Sequence, residues 1–255
     1  MSNSTRLRGR IALITGSTSG IGFAIAERLA EDGARIIISS RKQENVDGAL
    51  KKLAEKGHDV CGVACNISNV DDRKKLVLQV ERIGGLDIFV QCAGANLFNG
   101  HILDCPEDRW DKTMDINLKS TWLLTKDLLP FLKNSKCGRV IYNSSASVHA
   151  PLEILGVYPV SKAALHLLTK TVALQLGRLN ITVNCLVPGL IETPFSEVLV
   201  KDEEAKSVWN SLVCIKRYGK PADVAGITAF LASDEASFIS GECIVIAGGF
   251  PSSRL

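Results

Sequence analysis

The chain has 255 residues, of which 46% are hydrophobic and 22% are charged, the composition of a globular protein with a large core. Its 30 lysines and arginines nearly balance 27 acidic residues, and no basic block or zinc-finger spacing is present, so no nucleic-acid partner is expected. No run approaches about 18 apolar residues, which argues against a transmembrane helix.

Eight cysteines form no C-x-x-C pair, and most stand in apolar runs, where a free thiol behaves as a small hydrophobic residue. The first residues, MSNSTRLRGR, lack the apolar stretch of a signal peptide, so we expect a soluble protein in a reducing, intracellular compartment. The histidines show no ligand spacing. We expect no metal site and only structural or surface roles for His58, His101, His149 and His166.

Short β-branched runs alternate with amphipathic stretches from end to end. The seven predicted strands are Arg10–Thr15, Arg35–Ser39, Val60–Ala64, Asp87–Gln91, Arg139–Asn143, Ile181–Leu186 and Glu242–Ile246. Runs such as IALIT are apolar throughout, which is typical of strands buried on both faces. Amphipathic stretches such as FAIAERLAEDG end in glycine, a helix stop. The alternation predicts one α/β domain over residues 1–255, with a doubly wound, seven-stranded parallel sheet and helices on both faces. The least patterned segment, roughly 190–215, would suit a lid or a substrate loop.

The first predicted strand runs into TGSTSGIG, residues 15–22, which opens a helical pattern. Gly16 allows a tight turn, Gly20 lets a pyrophosphate approach the backbone, and Gly22 lets the helix pack closely on the sheet. The helix N-terminus then faces the anion. A strand before the motif and a helix after it favour the dinucleotide site of a Rossmann fold over an ordinary glycine turn.

The tip of the second predicted strand carries Ser40, Arg41 and Lys42, where an NAD-binding protein would place an acid for the ribose. A carboxylate there would repel the additional phosphate of NADP. Ser40 can instead donate a hydrogen bond, and Arg41 offers a planar fork suited to phosphate. We therefore expect NADP(H) as the cofactor.

Tyr158 and Lys162 lie four residues apart in YPVSK, at the start of a predicted helix, so their side chains share one face. A nearby ammonium stabilises a phenolate and would lower the pKa of Tyr158 from its usual value of about 10, which suits proton exchange with a carbonyl or an alcohol. Ser144 and Ser145 lie at the end of the fifth predicted strand, directly after Asn143. Either hydroxyl could polarise the same oxygen, or the pair could simply form a turn.

Five features resemble the short-chain dehydrogenases/reductases, in the same order and over nearly the whole chain: TGSTSGIG, Asn117 in DINLKS, Ser145 thirteen residues before Tyr158, Lys162, and PGLIET at 188–193. The resemblance implies that Tyr158 is the catalytic acid–base and that Lys162 lowers its pKa and holds the nicotinamide ribose. Ser145 would orient the substrate oxygen, and Asn117 would hold a water in a proton relay.

The resemblance also implies a cofactor contact set and an assembly. The implied contacts are Gly16, Ser17, Ser19, Gly20, Ile21, Gly22, Ser40, Arg41, Lys42, Asn66, Ile67, Ala93, Gly94, Tyr158, Lys162, Pro188, Ile191 and Thr193. Residues to about 150 would mainly bind the cofactor, and the remainder would carry catalysis and substrate binding. The implied assembly is a homotetramer built on the long helices around 107–132 and 157–177.

Two positions depart from the family pattern. QCAG at 91–94 stands where N-N-A-G is usual, and Cys92 is a weak hydrogen-bond partner, so the contacts of the missing asparagine must be made otherwise. Asn66-Ile67 replaces the common Asp-Val, and its amide carbonyl can still accept a hydrogen bond from the adenine amino group. Neither change touches the catalytic residues.

We expect hydride transfer from NADPH to a ketone or aldehyde whose oxygen meets Ser145. The mainly apolar pocket would be formed by Leu97, Phe98, Leu155, Phe195 and Leu199. By resemblance the substrates would be aromatic ketones, α-dicarbonyls or retinal-like carbonyls. A 3-oxoacyl-thioester reductase and an NADP-dependent alcohol or retinol dehydrogenase would share these residues. A non-catalytic NADP-binding regulatory protein has no chemical reason to keep all four catalytic residues.

The last residues, Ser253-Arg254-Leu255, resemble the S-K-L type of peroxisomal address. Together with SSRKQENVD, this tail points to the peroxisomal NADPH-dependent carbonyl and retinal reductase branch of the family. We expect recognition by a peroxisomal import receptor, with the cytoplasm as the alternative location.

Overall fold

Seven parallel strands form one sheet in the computed structural model, which describes residues 5–200, 207, 209 and 211–250, with only the backbone at 198 and 199. The strands are β1 (Ile11–Thr15), β2 (Arg35–Ser40), β3 (Val60–Ala64), β4 (Ile88–Gln91), β5 (Arg139–Asn143), β6 (Thr182–Pro188) and β7 (Cys243–Ile246). Their spatial order is β3-β2-β1-β4-β5-β6-β7. All seven predicted strands are confirmed to within two residues at each end, as is the doubly wound fold.

Helices cover both faces of this sheet. They are α1 (Gly20–Glu31), α2 (Gln43–Ala54), α3 (Val70–Arg82), α4 (Glu107–Met114), α5 (Ser120–Asn134), α6 (Tyr158–Leu176), the short α7 (Glu197–Val200) and α8 (Pro221–Ala232). A π-helical turn, Asp115–Lys119, joins α4 to α5, so the long helix predicted near 107–132 is one rod with a widened turn. No helix in the described part of the chain is long and apolar enough to cross a membrane.

The side chains of each strand alternate between two apolar cores, because successive residues of a strand point to opposite faces. In β1, Ile14 packs with α1, α2 and α8, whereas Leu13 packs with α3, α5 and α6. Ile38 and Ile37 divide in the same way in β2. The continuous apolar runs of the sequence are therefore explained by strands that are buried on both faces.

Glycines in the left-handed region end the helices as predicted. Gly33 follows α1 with a φ of 97°, and its N–H donates to Ala30 O at 2.9 Å. Gly84 follows α3 with a φ of 100°. A side chain would strain both positions, so these two helix stops depend on glycine.

The strand order reverses between β1 and β4. The chain runs outward from β1 to β2 and β3, then crosses to β4 on the other side of β1 and continues outward to β7. The connections on the two sides of this point diverge, and a crevice opens at the carboxyl ends of the strands. The predicted phosphate-binding motif, Ser145 and PGLIET follow strands at this edge, and Tyr158 and Lys162 lie in the first turns of α6 beside it, whereas Asn117 lies in the π-helical turn.

Gly22→Ala should destabilise the protein. A Cβ at Gly22 would lie 2.2 Å from Gly16 O, so α1 would have to move off the turn that precedes it. We expect the free energy of unfolding, measured by chemical denaturation, to fall by at least about 2 kcal/mol. Gly48→Ala in α2 is the matched control, because a Cβ there meets nothing within 4 Å; it should raise stability by about 1 kcal/mol. Equal effects of the two changes would contradict the packing role of Gly22.

Candidate active site

A cavity of about 1050 Å³ opens at the reversal point of the sheet. This volume is at the upper end of the range for small-molecule sites. Most of the predicted cofactor residues line it: Gly16, Ser19, Gly20, Ile21, Gly22, Ser40, Arg41, Asn66, Ile67, Ala93, Gly94, Tyr158, Lys162, Pro188, Ile191 and Thr193. Side chains from widely separated segments of the chain are therefore brought together as predicted.

The glycine turn brings backbone close to this cavity. Gly16 and Gly20 have φ angles of 63° and 55°, which L side chains rarely adopt. A Cβ on Gly16 would lie 2.8 Å from Ala93 N, so there is no room for a side chain. Ser17 does not line the cavity. It is buried, and its hydroxyl donates to Ile14 O at 2.7 Å and accepts from Ser39 N at 3.0 Å, which fastens the turn to β2.

The tip of β2 forms one end of the cavity. Ser40 ends the strand and Arg41 follows it, with the guanidinium exposed at the cavity wall. No carboxylate among the described residues pairs with Arg41, so its charge is available to an anion. Lys42 immediately precedes α2 and does not line the cavity.

Tyr158 and Ser145 meet at the other end. Tyr158 begins α6, Ser145 lies two residues after the end of β5, and the two side chains interact. Desolvation by the surrounding protein raises the pKa of Tyr158 to about 12, and the interaction with the Ser145 hydroxyl opposes this only in part. The predicted lowering of this pKa is therefore wrong for the site as described: burial dominates, and Lys162 Nζ lies 5.7 Å from the centroid of the phenol ring. At neutral pH the phenol keeps its proton and can only donate it.

Lys162 is a buried cation, 3% exposed. Its Nζ donates to Asn143 O at 2.8 Å. Burial lowers the pKa of Lys162 to about 8, although the nearby thiols of Cys185 and Cys92 oppose the shift. The ammonium is thus largely charged at neutral pH but close to losing its proton.

Asn117 stabilises α6, the helix that carries Tyr158 and Lys162, through side-chain hydrogen bonds. It lies in the π-helical turn, is buried, and accepts from Ala95 N at 2.8 Å while donating to Ala95 O and to Ser161 Oγ, both at 2.9 Å. Ser161 Oγ in turn donates to Tyr158 O at 2.7 Å. These bonds tie the loop after β4 to the first turn of α6. The side chain does not line the cavity, and its implied role in a water relay stays a prediction.

The structure separates the two serines that the sequence left as alternatives. Ser144 is buried, and its hydroxyl donates to Lys162 O at 2.9 Å. Ser145 lines the cavity beside Tyr158 and accepts a hydrogen bond from Ser147 Oγ at 2.9 Å. Ser144 therefore anchors α6 to the end of β5, and Ser145 is the one that can meet a ligand.

The arrangement has the features of a nicotinamide dinucleotide site. The backbone of Gly94 lies close to two predicted catalytic side chains: a Cβ there would be 3.1 Å from Lys162 Nζ and 3.3 Å from Asn117 Oδ1. Buried polar atoms with no hydrogen-bond partner in the described part of the chain, Ser39 Oγ and Asn143 Oδ1, belong to residues of the cavity wall. Such groups are costly unless something else satisfies them, and a polar ligand would do so.

Comparison with known proteins agrees with this geometry. A family model described as enoyl-(acyl carrier protein) reductase matches residues 16–251. Dehydrogenase/reductase SDR family member 4 of Bos taurus is 46% identical over 250 residues, which cover 98% of this chain and 90% of the bovine protein. The chain belongs to the short-chain dehydrogenase/reductase family. It is therefore an oxidoreductase of that family.

Solved structures of the family superpose closely. L-sorbose reductase from Gluconobacter frateurii, complexed with NADPH and L-sorbose, is 33% identical with a TM-score of 0.90, over 97% of this chain and 98% of that one. The 3-oxoacyl (acyl-carrier-protein) reductase from Agrobacterium tumefaciens C58, with NADP bound, is 31% identical with a TM-score of 0.90, over 97% and 96% of the two chains.

Other contacts replace those of the family's second asparagine. Gln91 Nε2 donates to Ala93 O at 2.9 Å, and Thr15 Oγ1 accepts from Ala93 N at 3.3 Å, so the turn after β4 is held without Cys92. Burial raises the pKa of the Cys92 thiol to about 12, which leaves it unreactive. Asn66 lines the cavity as predicted, and its Oδ1 accepts from Ser68 N at 3.3 Å.

The residues that line the substrate end of the cavity match the sequence prediction only in part. Leu155 and Phe195 line the cavity, whereas Leu97 and Phe98 do not; Phe98 packs against the backbone of Gly100 and Gly156. The side chain of Leu199 lies outside the described residues. Residues that sequence reasoning missed complete this wall: Ala150, Leu152, Ile154, Trp209 and Phe250.

Trp209 and Phe250 form an aromatic pair in this wall, with ring centroids 5.0 Å apart and planes inclined by 16°. Trp209 lies in the segment that was predicted to be a lid or a substrate loop, so the substrate-loop interpretation has support from this residue and from Phe195. No motif signals either aromatic residue. An isolated tryptophan in an otherwise polar segment was the one available sign.

Lys162→Met should change how stability depends on pH. The buried Lys162 has a lower pKa in the folded state, about 8, than the usual 10.5, so the unfolded chain binds more protons between these values and the folded state gains stability as pH rises through them. The difference in free energy of unfolding between wild type and Lys162→Met should move by about 3 kcal/mol in favour of wild type from pH 8 to 10.5. A pH-independent difference in chemical denaturation would contradict this.

Proposed function

We propose that this oxidoreductase uses NADPH to reduce ketones and aldehydes to alcohols. The observation that carries the proposal is a protonated phenol, Tyr158, beside the Ser145 hydroxyl in the wall of a cavity that presents a guanidinium, Arg41, with no carboxylate partner among the described residues, at its other end. The first group is a proton donor, and the second suits the phosphate that distinguishes NADPH from NADH.

The residues that would hold the cofactor follow the cavity from end to end. Ser40 and Arg41 suit the phosphate on the ribose, and the Gly16–Gly22 turn with the N-terminus of α1 suits the pyrophosphate. Lys162 would hold the nicotinamide ribose, and the backbone around Ile191 with Thr193 would hold the carboxamide; all three residues line the cavity. NADPH in the related L-sorbose reductase supports this choice. When bound, the reduced nicotinamide supplies a hydride to the carbonyl carbon.

The chain itself manages the charge and the proton on the substrate oxygen. The hydroxyls of Ser145 and Tyr158 converge, so a carbonyl oxygen between them would accept two hydrogen bonds that strengthen as negative charge develops. Tyr158 then donates its proton to that oxygen. The Lys162 ammonium nearby stabilises the phenolate that is left, and this is where it affects the tyrosine.

The apolar wall favours bulky, unsaturated carbonyl compounds. The aromatic rings of Phe195, Trp209 and Phe250, with Leu152 and Ile154, offer flat apolar surface beside the reacting groups. Aromatic side chains bind planar ligands by stacking and by edge contacts. We therefore propose aromatic ketones, α-dicarbonyls and retinal-like carbonyls as the substrate class.

A 3-oxoacyl-thioester substrate is the second candidate. The description of the matching family model and the function named for the Agrobacterium tumefaciens structure favour it. An NADP-dependent alcohol or retinol dehydrogenase would run the same chemistry in reverse and start from the phenolate, whereas the protonated Tyr158 is the form that reduction uses. A carbonyl panel that includes a 3-oxoacyl thioester distinguishes these candidates. Cofactor binding without turnover on any member would favour the non-catalytic alternative.

The cellular location and the oligomeric state of the protein stay predictions. We propose peroxisomal import through Ser253-Arg254-Leu255, which lies outside the described residues. We also propose a homotetramer that uses α5 and α6, where Trp122, Leu167 and Leu174 are 47%, 69% and 82% exposed. Apolar side chains this exposed on long helices suit a subunit interface.

Tyr158→Phe should lower kcat for ketone reduction by at least about 100-fold, because the proton donor is lost. NADPH binding, followed by nucleotide fluorescence, should be retained. Tyr142→Phe is the matched control: Tyr142 is fully buried, bonds only to Thr125 Oγ1 at 2.9 Å, and should leave kcat nearly unchanged. Full activity of Tyr158→Phe would refute the mechanism.

Arg41→Asp should weaken NADPH binding about 10- to 100-fold and NADH binding far less, since only NADPH carries the phosphate that the guanidinium would contact. Lys51→Asp makes the same charge change on the exposed side of α2, away from the cavity, and should affect both cofactors little. Dissociation constants from isothermal titration measure the ratio. Equal losses of both affinities in Arg41→Asp would refute the assignment.

A further inference from the structure

Three metal-ligating side chains meet behind the catalytic helix. His166, one turn after Lys162 on α6, approaches Cys185 on β6 and Cys243 on β7. One ring nitrogen and the two sulfur atoms all lie within 4.8 Å of one another. None of the three residues has a role in the proposed reduction.

The fold places these groups together and holds them there. Cys185 and Cys243 are direct partners in the parallel register of β6 and β7, so their side chains project from the same face of the sheet. That face is covered by α6, which brings His166 over the two sulfurs. Cys185 is fully buried, whereas Cys243 and His166 are half-buried, which leaves a route for an ion from outside.

Hydrogen bonds determine the tautomer of His166. Ser144 Oγ donates its only proton to Lys162 O at 2.9 Å, so toward His166 Nε2, 3.1 Å away, it can only accept. Nε2 therefore carries the proton, and Nδ1 has the lone pair that a metal ion would need. A histidine that ligates a metal typically donates its other ring N–H in this way.

We propose that His166, Cys185 and Cys243 bind a thiophilic divalent metal ion of the zinc class. Two thiolates and one imidazole are ligand types that zinc prefers, and tetrahedral geometry needs sulfur atoms about 3.8 Å apart, so the ligand atoms would have to draw together by at most about 1 Å. Two thiolates would neutralise the charge of a divalent ion. The fourth position is open to water or to His149, whose ring centroid is 5.6 Å from that of His166.

This site would fasten α6 to the two strands beneath it, because one ion would bridge three elements. It replaces the expectation of no metal site, which depended on ligand spacing along the sequence alone. The site is separate from the cofactor cavity, since none of its three ligands lines that cavity.

Metal titration of the reduced, metal-free protein tests the proposal. Cobalt(II) should give tetrahedral d–d absorption together with a thiolate-to-metal charge-transfer band, at one ion per chain. Zinc affinity, measured in competition with a chromophoric chelator, should fall by more than about 100-fold in Cys243→Ser, because the loss of a direct ligand exceeds the effect of losing an outer contact. Zinc should also raise the thermal unfolding midpoint of the wild type but not of Cys243→Ser.

Two further variants make the result decisive. Cys61→Ser is the matched control: Cys61 is a half-buried cysteine in the opposite edge strand, β3, and its loss should leave zinc affinity unchanged. His166→Gln removes the ligand but keeps an N–H for Ser144, so it should weaken zinc binding even if Cys243→Ser fails to fold. Absence of the charge-transfer band, or equal losses in Cys61→Ser and His166→Gln, would overturn the proposal.

Discussion

The burial of one cation, the ammonium of Lys162, is the constraint on which the rest of the site depends. A buried charge is costly unless hydrogen bonds satisfy it, and Lys162 Nζ finds Asn143 O at 2.8 Å. That bond requires α6 to lie at a fixed distance from the end of β5. Ser144 maintains this distance by donating a hydrogen bond to Lys162 O, and Asn117 holds the first turn of α6 through Ser161. Ser144, Asn117 and Ser161 therefore support the hydrogen bond between Lys162 and Asn143.

The same burial sets the protonation states of the two catalytic side chains. Removing water raises the pKa of the Tyr158 phenol and lowers that of the Lys162 ammonium, because both shifts favour the neutral form. The shifts move the two proton affinities apart, to a pKa of about 12 for the phenol and about 8 for the ammonium, so the phenol is the group that holds its proton firmly at neutral pH. A site built in this way suits reduction, in which the oxygen gains a proton, better than oxidation, in which the phenol must first lose one. The free guanidinium of Arg41 at the far end is consistent with the same direction, since it suits the phosphate of a reducing cofactor.

Behind this centre, α6 presents a second set of functional groups to the sheet. The hydroxyl of Ser144 links the two sides, because it donates to the backbone of Lys162 and accepts from His166. A ligand that orders His166, Cys185 and Cys243 would therefore act on the support of the catalytic lysine without entering the cavity. The catalytic helix is in this sense a shared wall between the proposed reduction site and the proposed metal site.

The sequence by itself determined the features that depend on local patterns. Short, mainly apolar runs marked the strands, because central strands such as β1 and β2 are buried on both faces. TGSTSGIG marked the phosphate turn, because only glycine fits where Gly16 and Gly22 meet neighbouring backbone. Tertiary structure alone decided what depends on burial and on contacts between distant segments. It reversed the expected shift of the Tyr158 pKa, since desolvation is invisible along the chain. It placed Trp209 against Phe250, and it brought His166, Cys185 and Cys243 within reach of one another through strand pairing rather than through spacing.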